Sequence, residues 1–127
     1  MRSILVASVA ILGITGAAQA QQILSAGGLY GGPSQVRVVC YFHNSGSSPV
    51  ALAGSNILDQ NGTAQTLVVN QCGTSLAPGR TCGIAANATN NQPYSCRTFA
   101  SPSKGPLRGV LEVRDSSQRP LANVELR

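Results

Sequence analysis

Aromatic residues are scarce: the 127-residue chain has no Trp, two Phe and three Tyr. Any core it builds must therefore be filled by aliphatic side chains. Acidic groups are scarcer still for a chain of this length, with only Asp59, Glu112, Asp115 and Glu125. So few carboxylates make a catalytic carboxylate pair or a calcium cage an unpromising expectation. There is one histidine, His43, which alone cannot assemble a metal site and reads as an ordinary surface or turn residue. A Ser-His-Asp set would have to recruit Asp59 or Asp115, and no serine sits in a Gly-x-Ser-x-Gly elbow. The inventory gives no catalytic residue, no metal site and no cofactor, and the chain reads as a non-enzyme.

Nine Lys and Arg side chains give a formal charge of +5, but no two are consecutive and no aromatics interleave with them. Specific nucleic-acid binding is therefore not expected. Helical periodicity is missing as well, since no stretch after residue 20 sustains an apolar 3.6 period for three turns.

The first 20 residues, "MRSILVASVAILGITGAAQA", combine Arg2, an apolar run from Ile4 to Ile14 and small residues leading to Ala18-Gln19-Ala20. This pattern predicts a secretory signal cleaved after Ala20. The apolar run falls short of the roughly 20 residues needed to cross a bilayer. Removal leaves 107 residues with eight basic and four acidic side chains, a net +4. That is one domain, placed outside the cytoplasm as a secreted or periplasmic protein, with no membrane-spanning segment after cleavage.

Within it, "VRVVCYFHN" puts Val36, Val38, Cys40 and Phe42 on one face and Arg37, Val39, Tyr41 and His43 on the other, the period of a strand. Val50 and Leu52 alternate up to a break at Gly54, and Ile57 and Leu58 then run into Asn61-Gly62 as a hairpin turn before Leu67–Val69. Further strands are predicted around Cys82–Ala86, Tyr94–Ala100, Leu107–Asp115 and Leu121–Arg127. All seven prolines fall between these runs or at their first residue, where a missing N–H harms no ladder. Residues 21–34 read as a Gly-rich segment or edge strand, and 35–127 as an all-β, immunoglobulin-like β-sandwich of about seven strands.

Four cysteines in an exported chain predict two disulfides. Cys40 on an early strand and Cys96 on a late one, with Tyr94 two positions before it, match the inter-sheet bridge and tyrosine corner of immunoglobulin folds. Cys72 and Cys82 then close the "GTSLAPGRT" loop through the Ala77-Pro78-Gly79 turn. The pairing of 40 with 72 and 82 with 96 stays open at this level.

The stretches "CGTSLAPGRTCGI" and "LRGVLEVRDSSQRPLANVEL" resemble the second half of bacterial immunoglobulin-like domains of the Hydin and choice-of-anchor D type. The likeness covers about the last 56 residues. It departs where "AANATNN" replaces the family's Phe-x-Pro, in the added Cys40 and Cys96, and in the missing closing Gly. The resemblance implies a sandwich with a 72–82 bridge, acting as an interaction or structural module outside the cytoplasm without catalysis.

The remaining chemistry is basic. Arg97, Arg108 and Arg114 alternate with the inward Cys96, Leu111 and Val113. If strands 94–100 and 107–115 are neighbours, these arginines and Lys104 in the connecting loop form one cationic face. Such a face would meet phosphate or carboxylate groups of an envelope component or of another protein, with Glu112 offsetting part of its charge. An alternative is a small effector or protease inhibitor that presents the 73–81 loop, with Arg80 as the contact. Open sheet edges are further contact sites. Asn61-Gly-Thr and Asn87-Ala-Thr match a glycosylation pattern and are read as turn residues.

Overall fold

The computed structural model describes residues 21–89 and 91–127; the expected signal segment, 1–20, lies outside the described residues. Nine strands form: β1 (Gln22–Leu29), β2 (Arg37–Asn44), β3 (Val50–Leu58), β4 (Leu67–Asn70), β5 (Ser75–Leu76), β6 (Thr81–Asn87), β7 (Tyr94–Ser101), β8 (Leu107–Arg114) and β9 (Pro120–Leu126). No helix occurs among the described residues. Strands in the order β1-β7-β3-β5 make one sheet and β4-β6-β2-β8-β9 the other, with antiparallel ladders throughout.

Alternation decides which side chains meet. On β2, Val38, Cys40, Phe42 and Asn44 point into the sandwich, and on β7 Tyr94, Cys96, Thr98 and Ala100 do the same from the opposite sheet. Ile57, Ile84, Leu107, Leu111 and Val113 complete a fully buried aliphatic layer. Each large aliphatic side chain in such a layer contributes about 1.5–3 kcal/mol relative to leaving it in water. Thr98, also buried, satisfies its hydroxyl against Ser55 Oγ at 2.8 Å.

Cys40–Cys96 joins β2 to β7 and so ties the two sheets together at their centres; Cys72–Cys82 ties the end of β4 to β6 within one sheet. The β4-β6-β2 and β7-β3 ladders correspond to the D-E-B and F-C ladders of the immunoglobulin sandwich, with the bridge on the B and F equivalents. The outer strands are exchanged relative to that arrangement. β1 lies beside β7, and β8 lies beside β2. Reciprocal hydrogen bonds between Ser25 and Arg127, at 3.0 and 2.9 Å, connect the first strand to the last residue at one corner.

Two elements differ from expectation. Asn61-Gly62 does form a turn, with Gly62 at φ 77 and its N–H donating to Asp59 O at 3.0 Å. Only the Leu58–Ala64 bridge follows it, however, because β4 crosses to pair with β6 in the other sheet. The second is β5. The disulfide-closed loop rises from one sheet, pairs Ser75 and Leu76 with β3 in the other, and returns to β6. Among the described residues nine strands thus stand where about seven were expected: β1 is the edge-strand alternative read for residues 21–34, and the two-residue β5 is the addition.

Asn44 is the anchor of that loop. Its side-chain N–H groups donate to Ser48 O and Leu76 O at 2.8 and 2.9 Å, and its Oδ1 accepts the Gly46 N–H at 2.9 Å. Its backbone pairs with Gly79 and Arg80, where Gly79 takes φ 69, a conformation that costs glycine nothing.

Candidate outer-face binding site

The outer face of the five-stranded sheet is built by the residues that alternate with the core. Across the sheet they stand in rows: Thr81, His43 and Arg108; then Gly83, Tyr41, Val110 and Glu125; then Ala85, Val39, Glu112 and Asn123; then Asn87, Arg37 and Arg114. Tyr41 is the one aromatic in this set. A Cβ on Gly83 would sit 3.3 Å from two ring carbons of Tyr41, so the absence of a side chain there lets the ring lie close over β6.

Arg114 reaches back along β8 to Glu112, donating from Nε and Nη2 to Oε2 at 2.9 and 2.6 Å, and from Nη2 to the Tyr41 hydroxyl at 3.2 Å. Its guanidinium carbon lies 5.8 Å from the Tyr41 ring centroid. The hydrogen bond to Glu112 holds this guanidinium still more firmly protonated than usual, opposed by partial burial. Val39 and Ala85 face outward in the same region, yet both are buried. The Tyr41–Arg114–Glu112 cluster therefore gives this face a fixed relief rather than a solvated fringe.

Two shallow grooves flank Tyr41. One, about 480 Å³, is lined by Tyr41, His43, Arg108, Val110 and Glu125 over Gly109 and Leu126. His43 Nδ1 lies 2.9 Å from Thr81 Oγ1, and exposed Arg108 donates from Nη1 to Gly105 O and Leu107 O at 2.7 and 2.9 Å. The other, about 240 Å³, has Arg37 and Arg114 along one side, Val39 and Ala85 beneath, and Gln71 and Gln118 among its lining residues.

The cationic face expected from sequence is divided between the two sheets. β7 is flanked on both sides by β1 and β3, leaving no edge for β8, which pairs instead along the whole of β2. Arg97 consequently lies on the four-stranded sheet, with its guanidinium 5.4 Å from the Phe99 ring centroid. Arg108 and Arg114 do share a face, and Lys104 lies in the crossing between the sheets, its backbone N–H donating to Gln22 Oε1 at 3.0 Å. Arg37 and Tyr41 are the members that sequence reading left out. Their outward position was legible from alternation; their closeness to Arg114 depends on the β2–β8 pairing.

Arg80 is exposed on the disulfide-closed loop, but its carbonyl accepts the Asn44 N–H at 3.0 Å. Among the described residues no cluster of three His, Cys, Asp or Glu is placed to hold a metal ion, and no helix is long and apolar enough to cross a membrane. The free-energy gain from two disulfides is realised only where thiols are oxidised, which fits an oxidising compartment. No family model matches the chain, and neither does any curated protein or solved structure.

Proposed function

We propose that the chain is a secreted or periplasmic binding module, without catalysis of its own, that contacts an anionic envelope component or another protein through the outer face of its five-stranded sheet. The observation that carries this reading is the pair of arginine-lined grooves on either side of Tyr41. Arginine and tyrosine are the side chains that most often anchor a protein contact, because each brings a large, stiff surface and hydrogen-bonding capacity together. Here both are held in place by Glu112 and by their own contact before any partner arrives.

The inhibitor reading has less support. A protease would have to draw the Arg80 carbonyl into its oxyanion hole, and that oxygen is already committed to Asn44.

The test is capture from an envelope fraction at physiological salt, comparing the wild-type chain with Arg37→Glu/Arg108→Glu and with Arg97→Glu on the opposite sheet. The reading expects one partner retained by wild type and Arg97→Glu and lost by the double variant. Equal retention by all three would place the contact elsewhere.

A further inference from the structure

Arg37 and Arg114 stand directly opposite each other on β2 and β8. Like charges in that relation destabilise a sheet pair, and the only acid in the neighbouring row, Glu112, spends its Oε2 on Arg114. The Nε of Arg37 is shielded from solvent and makes no hydrogen bond among the described residues. Buried donors without partners are rare enough in folded proteins that each calls for a reason. The two guanidiniums and Glu112 together leave one uncompensated positive charge.

We propose that Arg37 and Arg114 form a receptor for a monoanionic oxyacid group, a carboxylate or a phosphodiester, carried by the partner; the inference rests on reading this face as the contact surface. A single negative charge would neutralise the excess that the pair carries. Side-on contact through Nε and one Nη of Arg37, reached by rotation of the side chain, gives the missing acceptor and the paired geometry that guanidinium offers oxyanions. The 240 Å³ groove accommodates a small head group, and its apolar floor of Val39 and Ala85 suits a ligand whose charge sits on an uncharged carrier. Gln118 lines the same groove from the β8–β9 turn, where it adopts φ 63, a left-handed conformation that a long side chain rarely takes.

Arg97 is the internal comparison. Its Nε is likewise without an acceptor, but its strand neighbours are Ser25 and Asn56 and no second cation faces it.

The experiment is an NMR titration of the purified full chain, following the arginine Nε–H signals, with sodium acetate and separately with dimethyl phosphate at constant ionic strength. The proposal expects saturable shifts at Arg37 and Arg114 for at least one probe, with a Kd on the order of 10 mM, the scale of a single small contact; the probe that saturates identifies the head group. Arg37→Lys and Arg114→Lys keep the charge but lose the fork, and each is expected to weaken binding about fivefold or more, whereas Arg97→Lys leaves it unchanged. Shifts that never saturate with either probe overturn the proposal, as does binding by both lysine variants equal to wild type. Dispersed amide spectra of the variants establish that they fold. If the titration fails while envelope capture still depends on the face, the oxyanion receptor is wrong and the wider reading stands; loss of face dependence in capture removes the wider reading itself.

Discussion

The hydroxyl of Tyr94 accepts the backbone N–H of Thr89 at 2.9 Å, from a side chain that is 1% exposed and lies two residues before the inter-sheet Cys96. The contact joins a buried aromatic to the connection that precedes β7. It also receives the Gln92 side-chain N–H at 3.1 Å. One phenol thus fixes both the depth of the strand in the core and the path of the chain entering it.

Tyr94→Phe keeps the ring and removes only the oxygen. Two donors then lose their acceptor in a partly buried place, a loss worth about 1–3 kcal/mol. For a domain of this size that corresponds to a fall in Tm of roughly 4–8 °C per kcal/mol. Thermal unfolding followed by circular dichroism measures it, and an unchanged Tm would mean that water replaces the hydroxyl without cost.

The two disulfides close loops of very different length, with sequence separations of 56 and 10. In the chain-entropy treatment the longer contributes about 4 kcal/mol and the shorter about 3 kcal/mol. Replacing Cys40 and Cys96 by Ala is expected to destabilise more than replacing Cys72 and Cys82, since it also opens the sheet-to-sheet tie and empties core volume. Urea unfolding of the two double variants gives the order. A tryptic digest tests the pairing independently: peptides 38–80 and 81–97 stay joined until reduction and then separate, an outcome that excludes bridges 40–72 and 82–96.

Fold class, most strand positions, the presence of two bridges and the tyrosine corner were legible in the sequence because each has a short-range signature, whereas the choice between pairings depended on which strands the fold brings together. The period-two run of β2, the Tyr-x-Cys on β7 and the Pro-Gly turn between Cys72 and Cys82 are local facts. Sheet membership is not local. Nothing near Arg97 indicates that β1 and β3 occupy both flanks of its strand, so its alternation with Cys96 could place it on an outer face without saying which sheet that face belongs to. The same limit hid the Arg37–Arg114 relation, which arises from a register between residues 77 positions apart. Arg108 and Arg114 were correctly assigned to one face because a single strand carries both.

Asp115 links the last hairpin to pH. Its carboxylate accepts the backbone N–H of Arg119 at 3.0 Å, the Arg119 Nε–H at 2.9 Å and the Ser117 N–H at 2.8 Å. These hydrogen bonds, that of the Arg119 backbone foremost, hold its pKa below the usual carboxylate value. A depressed folded-state pKa means stability that is fully present above the unfolded value, near 4, and is lost as pH falls through the folded one. Asp115→Asn is therefore expected to lower the urea midpoint at pH 7 and to flatten its decline below about pH 4. Parallel pH curves for the two proteins would show that the hairpin carboxylate is uncoupled from folding.

Gln35 completes the network that Tyr94 begins. Gln35 is 1% exposed, and both polar atoms of its side chain are engaged: Nε2 donates to Thr89 O and Gln92 O at 2.6 and 2.7 Å, and Oε1 accepts the Gly31 N–H at 2.9 Å. Gln35 therefore holds the carbonyls of the same two residues whose donors converge on the Tyr94 hydroxyl. Gln35→Leu fills the space but leaves two carbonyls and one N–H unpaired, and is expected to cost about 2–4 kcal/mol, more than Tyr94→Phe. Because both side chains order Thr89 and Gln92, the losses in the Gln35→Leu/Tyr94→Phe double variant are expected to fall short of their sum by about 0.5–2 kcal/mol. Once one partner has released the connection, the other has less order left to maintain. A double-mutant cycle by urea unfolding reads this coupling directly; strictly additive losses would mean that Gln35 and Tyr94 stabilise the 89–92 connection independently.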